Sequence, residues 1–237
     1  MIVSINQPAY LPWLGYFDRI AASDLHVVLD NVQFEKNSFI NRNRVRTGKG
    51  WTWLTVPVVT SGRFGHLPIN RVEVEPNLRW ARKHWQTIEQ SYARAPHFAD
   101  HRAALATIYA RPWTRLIDLI DEMTCYLLEN FAIRVPLVNA SNISTSASKS
   151  ALILELCRHV GASVYLSGLM GRDYLDEASF ADAGVDIVYQ DYRHPVYRQT
   201  QSGFEPYMAA IDLLFMQGLQ AGSMLRTTAR LDLTGDR

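Results

Sequence analysis

Cysteine is nearly absent from this chain: its 237 residues include two, Cys125 and Cys157. Two thiols cannot build a disulfide framework, and free Cys is among the most buried residue types. Both are therefore expected as buried thiols on apolar helix faces, in a reducing compartment. No apolar run reaches the roughly 18 residues of a membrane-spanning helix, so no membrane partner is expected. The chain opens on a strand rather than on a basic and apolar leader, which makes the cytoplasm the expected location. Charge of one sign is missing too, since 24 Lys+Arg against 23 Asp+Glu leave +1 at pH 7. Nucleic-acid binding calls for a strongly basic face, so nucleic acid is not expected as a partner.

Several familiar motifs are missing as well. There is no GxGxxG after the first strand, no Walker lysine loop and no GxSxG elbow. His97 and His101 lie one helical turn apart, but Pro96 interrupts the approach and no second histidine pair or Cys cluster completes a zinc site. No metal is expected, and no cofactor is specified.

What is present is an alternation of short apolar strands and amphipathic helices. Strands are read at 1–5, 25–30, 51–58, 71–75, 135–139, 164–167 and 186–189. Helices are read at 13–22, 77–92, 101–110 and 115–131, then from Ser148 as N-cap to Gly161, at 172–183, and at 204–217. With 48% hydrophobic residues the chain can bury a sizeable core. The expected fold is α/β: a mostly parallel sheet with helices on both faces, one domain over 1–226 with a helical insertion, then a loosely ordered tail at 227–237.

Three segments carry candidate chemistry. The first is Asn6 to Tyr16, behind the opening strand. Pro8 and Pro12 bias Ala9 and Leu11 toward extended backbone. Gln7 offers an amide, Tyr10 a phenol, Trp13 a stacking face and Tyr16 a second phenol, near a helix N-terminus that favours anions. A rigid loop whose rings only cap the core is the alternative.

The second segment runs from Asp30 through Gln33 and Lys36 to Asn41-Arg42-Asn43-Arg44-Val45-Arg46. Asp30 ends a strand, where a carboxylate can serve as base. The arginines suit phosphate or carboxylate recognition, with Arg42, Arg44 and Arg46 on one face and Asn41 and Asn43 on the other. Alternatively this is a solvated edge strand kept from aggregating by its charges.

The third, Tyr189 to Gln199, follows the last strand and holds His194, Tyr197 and Gln199. A histidine there can move protons near neutral pH, or it can be a satisfied structural donor. Catalytic candidates are thus His194 and Asp30. Substrate-binding candidates are Gln7, Tyr10, Trp13, Tyr16, Gln33, Lys36, Asn41, Arg42, Asn43, Arg44, Tyr197 and Gln199. Ser146-Ala147-Ser148-Lys149-Ser150 resembles the lysine loop of class I synthetases and nucleotidyltransferases. Those enzymes pair that loop with a histidine motif, and the first loop here has no histidine.

Taken in order, these stretches resemble the WbqC-like family. The matching blocks are 7–17, 30–34, 41–43, 51–58, 83–85, 165–168, 194–199 and 211–215. The resemblance implies a role in O-antigen or other surface-polysaccharide synthesis. The expected substrate is a small molecule such as a nucleotide-linked amino sugar, modified by acyl or aminoacyl transfer. The alternatives are a non-catalytic subunit that binds a pathway enzyme or carrier protein, and a nucleotidyltransferase-like enzyme.

Overall fold

The computed structural model describes residues 1–60 and 65–226, so the expected tail at 227–237 lies outside the described residues. In chain order the elements are β1 (Ile2–Asn6), α1 (Leu14–Ala21), β2 (Leu25–Val28), β3 (Arg42–Thr47), β4 (Gly50–Thr55), β5 (Val58–Val59) and β6 (Glu73–Val74). There follow α2 (Arg79–Tyr92), α3 (Phe98–Ala110), α4 (Leu116–Asn130), β7 (Leu137–Asn139), α5 (Lys149–His159), β8 (Val164–Ser167), α6 (Glu177–Asp182), β9 (Asp186–Tyr189), α7 (Ile211–Gln217) and α8 (Ala221–Leu225).

Five strands form one parallel sheet in the order β7-β2-β1-β8-β9. The order grows outward from β1 in one direction through β2 and β7. It then jumps back across β1 to continue through β8 and β9. The point of reversal lies between β1 and β8, and beyond the carboxyl ends of the strands there is where open α/β sheets bind ligands. The antiparallel hairpin β3–β4 and the small pair β5–β6 stand outside this sheet. Helices α2, α3 and α4 form the helical insertion between β6 and β7.

Strand alternation sorts the sheet's two faces. Val3, Ile5, Val27 and Tyr165 face α5 and α6, packing with Leu152, Ile153, Leu156, Cys157 and Phe180. On the other side α1, α4, α7 and α8 contribute to the larger core. That second face is unusually polar for a buried one, because Ser4 and His26 both point into it and both are buried.

Several boundaries differ from expectation, each for a local reason. Val58–Val59 is a separate strand from β4, because Pro57 cannot continue the ladder. The expected strand at 71–75 shrinks to β6 behind a 3-10 turn at Ile69–Arg71. The helix expected at 204–217 starts only at Ile211, since Pro206 lacks an N–H and Tyr207 takes φ 59. Likewise α6 begins at Glu177 rather than Arg172, capped by the Asp176 side chain accepting from Ser179 N–H. Ser148 occupies the N-cap of α5 with extended backbone, yet its hydroxyl makes no capping bond. Leu11 is left-handed (φ 47) rather than extended: Asn43 Nδ2 donates to its carbonyl, and Ala210 N–H holds the next one at 2.8 Å. Cys157 is buried, but Cys125 is exposed on α4. Among the described residues no helix is long and apolar enough to cross a membrane.

Candidate functional site

Two clefts open beyond the carboxyl ends of the parallel strands. The larger lies at the reversal between β1 and β8 and has a volume of about 600 Å³. Its floor comes from Ile5, Asn6 and Gln7 at the end of β1, and from Tyr165 of β8. Trp13 and Phe39 line it with their ring centroids 5.2 Å apart. Lys149, at the first turn of α5, adds a cation to the lining, and Glu35 adds a carboxylate. Lys149 takes φ 53, a left-handed conformation that costs a non-glycine residue of order 1 kcal/mol.

From Phe39 the aromatic surface continues outward over the hairpin. Phe39 meets Trp53 at 6.0 Å, and Trp53 meets Trp51 at 6.0 Å. The register places Arg42 opposite Thr55, Arg44 opposite Trp53 and Arg46 opposite Trp51. The Arg42 guanidinium therefore lies 4.3 Å from the Trp53 ring centre, and that of Arg44 lies 5.0 Å from Trp51. Arg46 turns inward instead, donating to the backbone carbonyls of Gly50 and Ser202. Asn41 and Asn43 are buried and serve the backbone, through Val56 and Leu11.

The second cleft, about 340 Å³, sits past β2 and β7. Asp30, Asn70, Arg71, Arg115, Asp118, Asp121, Asn139 and Ser141 give it polar walls. Asp30 is buried and its oxygens are occupied: Ser141 N–H and hydroxyl donate at 2.8 and 2.6 Å, and Asn70 Nδ2 at 3.3 Å. Asp121 has its pKa pushed up to about 6, first by burial, then by the neighbouring Asp118 and Asp30 carboxylates. Arg115 forks onto Asp118 at 2.7 and 3.0 Å. Among the described residues no group of three or more His, Cys, Asp or Glu is arranged to hold a metal ion.

The sequence candidates thus separate. Gln7 and Trp13 line the larger cleft, and Asp30 lines the smaller. Tyr10 lines neither: it is wholly buried, bonded to His84 Nδ1 at 2.9 Å and to the Tyr109 hydroxyl at 2.6 Å. Tyr16 is buried on α1, its ring edge-on to His26. Gln33 ties its side chain to Phe34 O and Leu67 N, while Lys36 is exposed outside both clefts. Tyr197 and Gln199 both donate to Asp212, a fully buried carboxylate. Both His194 nitrogens are engaged: Nδ1 donates to Pro195 O at 2.8 Å and Nε2 accepts from Tyr207 N–H at 3.1 Å. Its ring is packed among Tyr192, Tyr197, Phe204 and Tyr207. The single pocket expected to gather Tyr10, Asp30 and His194 is not formed.

Phe39 and Glu35 carry no sequence signal of their own. Lys149 was legible only through its serine-rich loop. A model of the WbqC-like protein family matches residues 7–224. The chain belongs to that family. This WbqC-like protein is 34% identical over 226 residues to the uncharacterized protein Rv1507c of Mycobacterium tuberculosis (strain ATCC 25618 / H37Rv), covering 94% of this chain and 97% of that one. No solved structure matches it. Within the family match lie Gln7 and Trp13 as well as Lys149 and Tyr165, so these lining residues of the larger cleft belong to the shared region.

Proposed function

We propose that this WbqC-like protein is an enzyme of surface-polysaccharide synthesis that binds a nucleotide-linked sugar in the cleft between the ends of β1 and β8. One observation carries the reading. At the strand-order reversal one cleft is lined both by an aromatic pair, Trp13 with Phe39, and by a cation, Lys149 at the start of α5. A planar base suits the aromatic pair. A phosphate suits the lysine, where the free N–H groups of a helix start also favour negative charge.

In this reading the reaction is acyl or aminoacyl transfer to the sugar. A bond forms between the sugar's nitrogen or oxygen and the donor's carbonyl carbon, the donor's leaving group departs, and the displaced proton goes to a carboxylate. Glu35 is the carboxylate lining this cleft and takes that role. Asp30 and His194, each saturated by protein hydrogen bonds, act as positioning residues for the loops they hold.

The test is a thermal-shift screen against nucleotides and nucleotide sugars. A ligand at about 100 times its Kd adds roughly 2.7 kcal/mol of stability. The expected result is stabilisation by a nucleotide sugar that is lost in Trp13→Ala and in Lys149→Ala. Flat melting curves across the panel overturn the reading in favour of a carrier-binding or partner subunit. Pyrophosphate release from ATP would instead favour nucleotidyl transfer.

A further inference from the structure

A third, smaller cavity of about 200 Å³ lies between α4 and the polar face of the sheet. Pro8, Tyr16, Val28, Ile120 and Leu137 give it a mostly apolar lining. His26, Thr124, Asp121 and Asn139 add polar groups to that lining. His26 Nε2 and Thr124 Oγ1 are buried and have no hydrogen-bond partner among the described residues. An orphaned buried polar atom costs about 1–3 kcal/mol. Two of them bordering one cavity point to a ligand that satisfies both.

The polarity of the His26 ring follows from a chain of hydrogen bonds behind it. The Ser23 hydroxyl donates to Ile20 O at 2.8 Å. The Ser4 hydroxyl, 2.8 Å from Ser23 Oγ, must then give its proton to Ser23. That leaves Ser4 Oγ to accept from His26 Nδ1–H, also at 2.8 Å. Reversing the chain gives up the bond to Ile20 O. Burial, aided by the nearby Arg19 charge, pushes the His26 pKa down to about 3, so the ring is neutral at physiological pH. Its Nε2 therefore presents a bare lone pair to the cavity, while Thr124 presents a hydroxyl.

We propose that this cavity is a slot for a small hydroxyl-bearing group, an alcohol or phenol with an apolar body, which donates to His26 Nε2 and accepts from Thr124 Oγ1. A hydroxyl can give a proton to the bare Nε2 and at the same time accept one from Thr124. A cavity of about 150 Å³ binds benzene, so a ring-sized apolar body fits a cavity of this volume. Asp121 and Asn139 border both this slot and the cleft of Asp30 and Arg115. The proposal does not rest on the nucleotide-sugar reading, and its test uses no nucleotide.

The experiment uses the intact protein with its histidine rings labelled with ¹⁵N, 4-fluorophenol as the probe, and fluorobenzene as the analogue without a hydroxyl. The expected result is a His26 ring protonated at Nδ1 whose Nε2 resonance moves with 4-fluorophenol and not with fluorobenzene. Thr124→Val keeps the shape and removes the hydroxyl. It should weaken 4-fluorophenol about tenfold and leave fluorobenzene unchanged. Ile120→Phe, which fills the slot, should exclude both. An Nε2–H tautomer, no response to 4-fluorophenol at saturation or no binding of it, or undiminished binding by Thr124→Val overturns the proposal.

Discussion

Tyr197 donates its phenolic proton to Asp212 across 2.8 Å, in a site closed to solvent. Tyr92 and Gln199 donate to the same carboxylate at 2.8 and 2.9 Å, so one aspartate joins the end of α2, the start of α7 and the loop after β9. Burial pushes the Asp212 pKa up, and its three donors pull it back. Tyr197→Phe leaves part of that carboxylate unserved. Urea denaturation should show a loss of about 1–3 kcal/mol, with ligand-induced thermal shifts unaltered.

Tyr10→Phe should behave similarly for a different reason. It removes the hydroxyl that joins His84 to Tyr109, leaving two buried polar atoms short of a partner. A stability loss of about 2 kcal/mol is expected by chemical denaturation. Loss of nucleotide-sugar binding without loss of stability would place Tyr10 at the ligand after all.

Asp121→Asn should stabilise the protein at pH 7 and make no difference at pH 4. The carboxyl's raised pKa means the fold prefers its neutral form, so above about pH 6 its charge weighs against folding. The gain is about 1 kcal/mol once solvent screening is allowed for. Paired urea titrations at the two pH values check it.

His84 titrates with the opposite sense. Its pKa is pushed down to about 4, mainly by burial, while the unfolded imidazole titrates near 6.5. Between those values the unfolded state binds the extra proton, so stability falls as pH falls from about 6.5 toward 4. His84→Asn should be less stable than the parent at pH 7. That gap should narrow by about 2 kcal/mol at pH 5, where the parent carries the linkage cost and the variant does not. A gap constant with pH would show that His84 is not held neutral.

Gly168→Ala should destabilise by about 1–3 kcal/mol, because a Cβ there collides with the guanidinium of the buried Arg19. Thermal melts of Gly168→Ala alone and combined with Arg19→Ala should show a penalty in the first that is relieved in the second.

The parallel strands and most of the helices were legible because their apolar periodicity is local. Gly161 and Gly184 closed α5 and α6 where expected, both with left-handed φ. The N-terminal start of α7 was not legible, since the apolar run from Phe204 looks helical until Pro206 and Tyr207 break it. Tyr10 reads as a loop residue with a free phenol, and only contacts with His84 and Tyr109, remote in sequence, bury it. Asp212 carries no local signal of its buried role, because its donors Tyr92, Tyr197 and Gln199 are set by the fold. The pairing of Arg42 with Arg44 on one face was legible from alternation, whereas their stacking on Trp53 and Trp51 and the inward turn of Arg46 required the folded hairpin.

The placement of β1 at the middle of the sheet bears on how the molecule comes together. Ile2 is aligned with Val164, and Val3 with Leu25, so this strand finds one flank early and the other only after most of the polypeptide is available. A nascent or truncated chain ending short of Val164 therefore leaves a bare, apolar flank ready to pair with strangers. Such chains should need chaperone shelter until β8 emerges.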